Sequence, residues 1–214
     1  SSIGWPGQQG NVRNTGVLEQ PAYFASLGDT VYWTNTISLA GDNILPAFST
    51  VVIKPGTRIK VHAGGSLVVQ GTLIAEGTEN HPITFSADIN GAGNDYWQGI
   101  TVSNFSVASF AYCNVSDAEV GILVEDENNI NISYCRFDNN IVGIGAFNSS
   151  PVIYENFITN NITGIHSWKN AAPVLTDFDK NNPFRNGIID NQTGIKIYEA
   201  NVYLKYGFND IYNI

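Results

Sequence analysis

Apolar and polar positions along this chain repeat at about 22 residues, far beyond the period of a helix or a strand. Gly-Ile pairs stand at Gly99-Ile100, Gly121-Ile122, Gly143-Ile144, Gly164-Ile165 and Gly194-Ile195, at intervals of 22, 22, 21 and 30 residues. Six places before the glycine comes an apolar residue: Val115, Phe137, Ile158 or Ile188. Two places earlier still is Cys113, Cys135, Asn156 or Asn186, and three places before the glycine is Ala118, Asn140, Asn161 or Asn191. A helix needs apolar residues at steps of three and four, which this template lacks. The spacing predicts short strands of period two, broken by bends, and the fixed repeat predicts a solenoid.

Stacking the repeats explains each column. Coils of a parallel sheet lie about 4.8 Å apart, so equivalent residues form ladders along the axis. The column Ile100, Ile122, Ile144, Ile165, Ile195 fills the interior. Asn columns bond amide to amide between coils and satisfy the bends. Gly is expected to supply backbone freedom at a corner. Cys113 and Cys135 share one inward column on adjacent coils, and two buried, unreactive thiols are expected there.

The stretch from Gly71 to Phe85, followed by Trp97-Gln98-Gly99-Ile100, is preceded by a Pro55-Gly56-Thr57 turn and a Gly65-Ser66-Leu67 strand. On these motifs residues 51–214 resemble the right-handed parallel β-helix repeat family, the broad pectate-lyase-like group of secreted and surface bacterial proteins. The resemblance implies an all-β right-handed parallel β-helix of about seven coils. It is specific for fold and silent on activity, because this architecture hosts lyases, hydrolases, epimerases, adhesins and spacers. Residues 1–48 depart from the template and read as an irregular N-terminal cap covering an open sheet edge. Residues 49–214 read as the β-helix. Asn209-Asp210-Ile211 begins a further copy, so continuation beyond Ile214 into more coils or an anchoring module is expected.

Composition narrows the partners. The formal net charge is -9 with ten Lys plus Arg, which disfavours nucleic acid and acidic membrane surfaces. No apolar run is long enough for a transmembrane helix. The chain has neither a leader nor any Met, as expected of a mature or excised segment of an extracellular or cell-surface protein. N-x-S/T sequons start at Asn104, Asn114, Asn131, Asn148, Asn161 and Asn191, several of them at positions the repeat already uses.

Candidate chemistry follows from the outward positions. Phe147, Trp168 and Tyr198 fall in one outward column on three successive coils, with Glu125 and Ser103 before them. The adjacent outward column reads Thr101, Leu123, Gly145, His166, Lys196. A flat aromatic strip of this kind suits stacking against the apolar face of sugar rings, with His166 and Lys196 as polar contacts. Cross-coil stacking that only stiffens the sheet would give the same pattern. Glu125-Asp126-Glu127 is the densest acidic run; no cofactor is certain, and Ca²⁺ is the cation such a turn would hold, while a solvated corner accounts for it equally. The insertion that lengthens one coil carries Asp177, Asp179, Lys180 and Arg185, either a functional excursion or a polar loop.

Three functions remain in view. The first is a secreted or surface recognition module for polysaccharide. The second is a polysaccharide lyase or glycoside hydrolase of the β-helix class. The third is a structural spacer carried with additional domains of one polypeptide. The resemblance implies an Asn-x-Asp, an Asp-Asp and a Gly-His-Gly for hydrolases, and none occurs. For lyases it implies acids opposite an Arg, yet the column neighbours of Arg136 are Asn114 and Phe157. No nucleophile elbow is present. The balance therefore leans away from an enzyme.

Overall fold

The computed structural model describes residues 28–103, 106–126, 130–176, 186–205 and 210–212. These form a right-handed parallel β-helix of three sheets, with no helix among the described residues. The first sheet stacks Thr30–Trp33, Thr50–Ile53, Thr72–Glu76, Val107–Ala111, Asn131–Ser133, Val152–Tyr154, Val174–Thr176 and Tyr203–Lys205. The second stacks Thr36–Leu39, Arg58–Val61, Ile83–Ala87, Cys113–Ser116, Arg136–Asp138, Phe157–Thr159, Gly187–Ile189 and Asp210–Tyr212. The third stacks Asp42–Leu45, Ser66–Val69, Trp97–Val102, Ala118–Glu125, Val142–Phe147, Thr163–Trp168 and Thr193–Tyr198.

Alternation along each short strand decides which side faces the core. Val51 and Ile53, Ile59 and Val61, and Leu67 and Val69 are sealed inside, while Val52, Lys60 and Val68 between them face outward. Ile100, Ile122, Ile144 and Ile165 stack as one buried column, and Ile195 continues it partly buried. Each such side chain contributes roughly 1.5–3 kcal/mol of burial, and no coil could bury its own face alone.

Two Asn ladders run beside the apolar columns. Asn140 Nδ2 donates to Asn161 Oδ1 at 3.0 Å, and Asn161 Nδ2 to Asn191 Oδ1 at 2.9 Å. Asn156 Nδ2 likewise donates to Asn186 Oδ1 at 3.1 Å. The thiols extend this second ladder by imitation. The Cys113 backbone N–H donates to Cys135 Sγ, as Cys135 N–H does to Asn156 Oδ1. Cys135 Sγ donates to Ser133 O, two residues back, as Asn156 Nδ2 does to Tyr154 O. Both thiols are free and buried, and burial, then the bond to Cys135, pushes the Cys113 pKa well up. Asn161 and Asn191 are likewise buried, so these two sequons are structural positions.

Two expectations need correction. Residues 30–45, expected within the cap, form a coil of their own, because Val31/Trp33, Ile37/Leu39 and Asn43/Leu45 alternate inward like the later strands. The Gly of the Gly-Ile pairs does not make a corner. Gly121, Gly143 and Gly164 lie inside strands of the third sheet, where a Cβ would come within 2.6–2.7 Å of the next coil's Gly143, Gly164 or Gly194 carbonyl oxygen. Gly41, Gly56 and Gly64 take positive φ at corners of the first two coils, whereas the corners of the later coils carry non-glycine residues in the left-handed region. Tyr112, Tyr134 and Glu155 turn the chain from the first sheet to the second. Asp117, Asn139, Asn160 and Asp190 turn it from the second to the third, and Asp126, Asn148, Lys169 and Glu199 turn it out again.

Candidate functional site

The outer face of the third sheet carries the aromatic column read from the sequence. Glu125, Phe147, Trp168 and Tyr198 are register partners on four successive coils, and Leu123, Gly145, His166 and Lys196 form the adjacent column. The same column runs back through Thr101 and Val68 to Ile44, along a shallow groove edged by Asp42, Gln98 and Glu119.

The rings do not lie as a flat strip, however. Phe147 and Trp168 meet edge to face, with centroids 5.7 Å apart at 62°. Trp168 folds over Gly145, where a Cβ would come within 3.2 Å of its ring. Its other neighbour is His166, with ring centroids 4.4 Å apart. The Lys169 ammonium sits 4.5 Å from the Phe147 centroid. Phe147 and Trp168 are thus half-buried, whereas Tyr198 is 62% exposed. Burial, then the charge of Lys196, holds the His166 pKa below the usual imidazole range. The ring is therefore a neutral hydrogen-bonding group at neutral pH.

At the acidic turn, Glu125 faces out at the foot of the aromatic column and Asp126 makes the corner, accepting a hydrogen bond from Asn148 Nδ2. Burial, then the Asp126 charge, raises the Glu125 pKa. Glu127 and the insertion residues Asp177, Asp179, Lys180 and Arg185 lie outside the described residues. Among the described residues no three His, Cys, Asp or Glu side chains gather as a metal site. Arg136 finds its acid along its own strand, 3.1 Å from Asp138, and lies over the Phe157 ring.

Sequence reasoning missed a second constellation, on the outer face of the second sheet. Ser38, Lys60 and Ser86 are register partners on the first three coils, and His62 and Asp88 occupy the next outward positions on the second and third. Ser38 Oγ lies 2.9 Å from His62 Nε2, and His62 Nδ1 lies 3.2 Å from Asp88 Oδ2. Tyr96 Oη donates to the other Asp88 oxygen at 2.8 Å. That bond, then burial, raises the Tyr96 pKa and keeps the phenol a donor. Lys60 Nζ donates to Ser86 Oγ and Ala87 O. The signal in the sequence is a set of outward residues 24 and 26 places apart, but Ser38 lies in the segment that departs from the repeat template.

No helix among the described residues is long and apolar enough to cross a membrane. A parallel coil stack with Asn ladders and outward-facing columns defines a β-helix repeat module. The chain belongs to the family described as periplasmic copper-binding protein (NosD), whose model it matches over residues 31–213. Its compartment is accordingly periplasmic or secreted. Comparison with curated proteins and with solved structures returns no match.

Proposed function

We propose that this exported β-helix module recognises polysaccharide through the outer face of its third sheet. The observation that carries the reading is the register of Phe147, Trp168 and Tyr198 on three successive coils, with His166 and Lys196 alongside. Tyr198 offers the open ring face, Trp168 an edge, and neutral His166 and cationic Lys196 the hydrogen bonds that orient hydroxyl or carboxylate groups. The groove through Ile44, Val68 and Leu123 on the same face suits an extended ligand.

The family's description names copper, and the described residues do not fit a copper centre. Copper takes thiolate, thioether and imidazole donors. The chain contains no Met and three His. Both thiols are buried and donate to backbone carbonyls, of Ala111 and Ser133 among others. His62 has both ring nitrogens engaged, by Ser38 and Asp88, and His166 is held between Trp168 and Lys196.

A glycan array, followed by titration of Trp168 fluorescence in a Trp5→Phe chain, tests the proposal; Trp33 and Trp97 are buried and insensitive to a surface ligand. Binding of an acidic or neutral oligosaccharide is expected, weakened about tenfold in Tyr198→Ala through the loss of one stacked ring. A wild-type chain that binds no glycan, or a Tyr198→Ala chain that binds as well as wild type, overturns it.

A further inference from the structure

We propose that Ser38, His62 and Asp88 form an esterase site on the outer face of the second sheet, hydrolysing carboxylic esters of small acyl groups. The site lies on the first three coils, away from the aromatic column, and does not depend on glycan binding.

The stack itself assembles the relay. Ser38 comes from the strand Thr36–Leu39, while His62 and Asp88 stand just past the ends of Arg58–Val61 and Ile83–Ala87. His62 lies one coil on and two residues along from Ser38, and Asp88 one coil on from His62, and the side chains bridge these steps. The nitrogens are correctly assigned for base catalysis. Asp88 is an acceptor and takes the Nδ1 proton, which leaves the Nε2 lone pair for the Ser38 hydroxyl. Tyr96, at the end of the long corner 88–96, donates to the second Asp88 oxygen and fixes the carboxylate plane. Ser38 and His62 are the catalytic residues; Asp88 and Tyr96 are positioning residues.

A donor for the developing oxyanion comes from the sheet edge. The carbonyls of Asn35 and Leu39 accept from Arg58 and His62, so alternation of the parallel ladder directs the Ser38 N–H to the opposite side. Thr36–Leu39 is the first strand of its sheet, and no described strand lies beyond it. An ester carbonyl oxygen reaching Ser38 from that side would meet this N–H. His62 is 49% exposed and Asp88 24%, so the face is open. An open face suits an ester that projects from a larger carrier.

The chemistry balances without a cofactor. Ser38 Oγ attacks the ester carbonyl carbon while its proton passes to His62 Nε2. The carbon–oxygen bond to the alcohol breaks, and the leaving oxygen takes that proton, giving an acyl-serine and free alcohol. Water then attacks the acyl carbon and gives a proton to Nε2. Ser38 Oγ leaves, reclaims the proton and releases the carboxylic acid.

The test uses the whole chain with a fluorophosphonate probe and p-nitrophenyl acetate. The expected result is covalent labelling of Ser38, located by peptide mass, and p-nitrophenolate release that falls about 100-fold in Ser38→Ala and in His62→Gln. Asp88→Asn should lower kcat while leaving KM near wild type, a split that general loosening of the fold would not produce. Circular dichroism checks that each variant keeps its sheet content. Labelling of the unmodified chain decides the question independently of any variant. Absence of label on Ser38, or variants that hydrolyse the ester as fast as wild type, overturns the proposal.

Discussion

Asn161 donates its side-chain amide to Asn191 Oδ1 at 2.9 Å across thirty residues of sequence, and also to the carbonyls of Phe137 and Thr159. Its own Oδ1 receives the Asn140 backbone N–H at 2.9 Å and the Asn140 side chain at 3.0 Å. One buried amide thus ties three coils together, and every polar atom it brings inside has a partner.

Asn161→Ala should therefore cost about 3 kcal/mol, more than an isolated hydrogen bond, because buried donors and acceptors on the coils above and below are left unmatched. Urea unfolding followed by circular dichroism measures it. A cost under about 0.5 kcal/mol, typical of a plain surface change, would count against the ladder as a stabilising element.

Two glycine substitutions should separate lack of space from backbone conformation. At Gly143 a Cβ would lie 2.7 Å from the Gly164 carbonyl oxygen and 2.9 Å from Ile158 Cγ2, so Gly143→Ala must push two coils apart. A loss of about 2–3 kcal/mol is expected. Gly41 has a φ of +64° with nothing within 4 Å of the added carbon, so Gly41→Ala meets only the left-handed penalty of about 1 kcal/mol. Thermal unfolding of the two variants should rank them in that order.

Glu125 has its pKa raised by burial and by the Asp126 charge, so the folded chain keeps this proton to higher pH than the unfolded chain does. Stability should fall as pH rises through the window between the ordinary glutamate pKa and the raised folded value, and then stay lower. Glu125→Gln removes the deficit. The variant should be more stable than wild type near pH 7 and show no such advantage near pH 3, below both pKa values. Paired urea titrations at the two pH values read the difference directly, and an equal gain at both would refute the assignment.

The coil stack was legible because its period is visible in the letters. Counting from Gly99, Gly121, Gly143 and Gly164 places Phe147 beside Trp168 and Cys113 beside Cys135, and the structure keeps those registers. The first three coils were harder to read. The first two lack the Gly-Ile pair, the third has Gly99-Ile100 without the Asn positions before it, and their corners range from Asn35 to the excursion 88–96. Without a constant corner length, counting aligns neither Ser38, His62 and Asp88 nor the coil at 30–45.

By itself the sequence determined the coil period, the inward Ile and Asn columns and the outward aromatic column, since period-two alternation within strands and a near-constant repeat leave one consistent way to stack them. Tertiary structure alone decided how side chains use those columns. A Cβ on Gly145 would come within 3.2 Å of the edge of the Trp168 ring, and the glycines inside the third sheet answer to the carbonyls of the next coil. The Ser38–His62–Asp88 relay likewise depends on distances between coils, which corner lengths and packing set and which no count of residues contains.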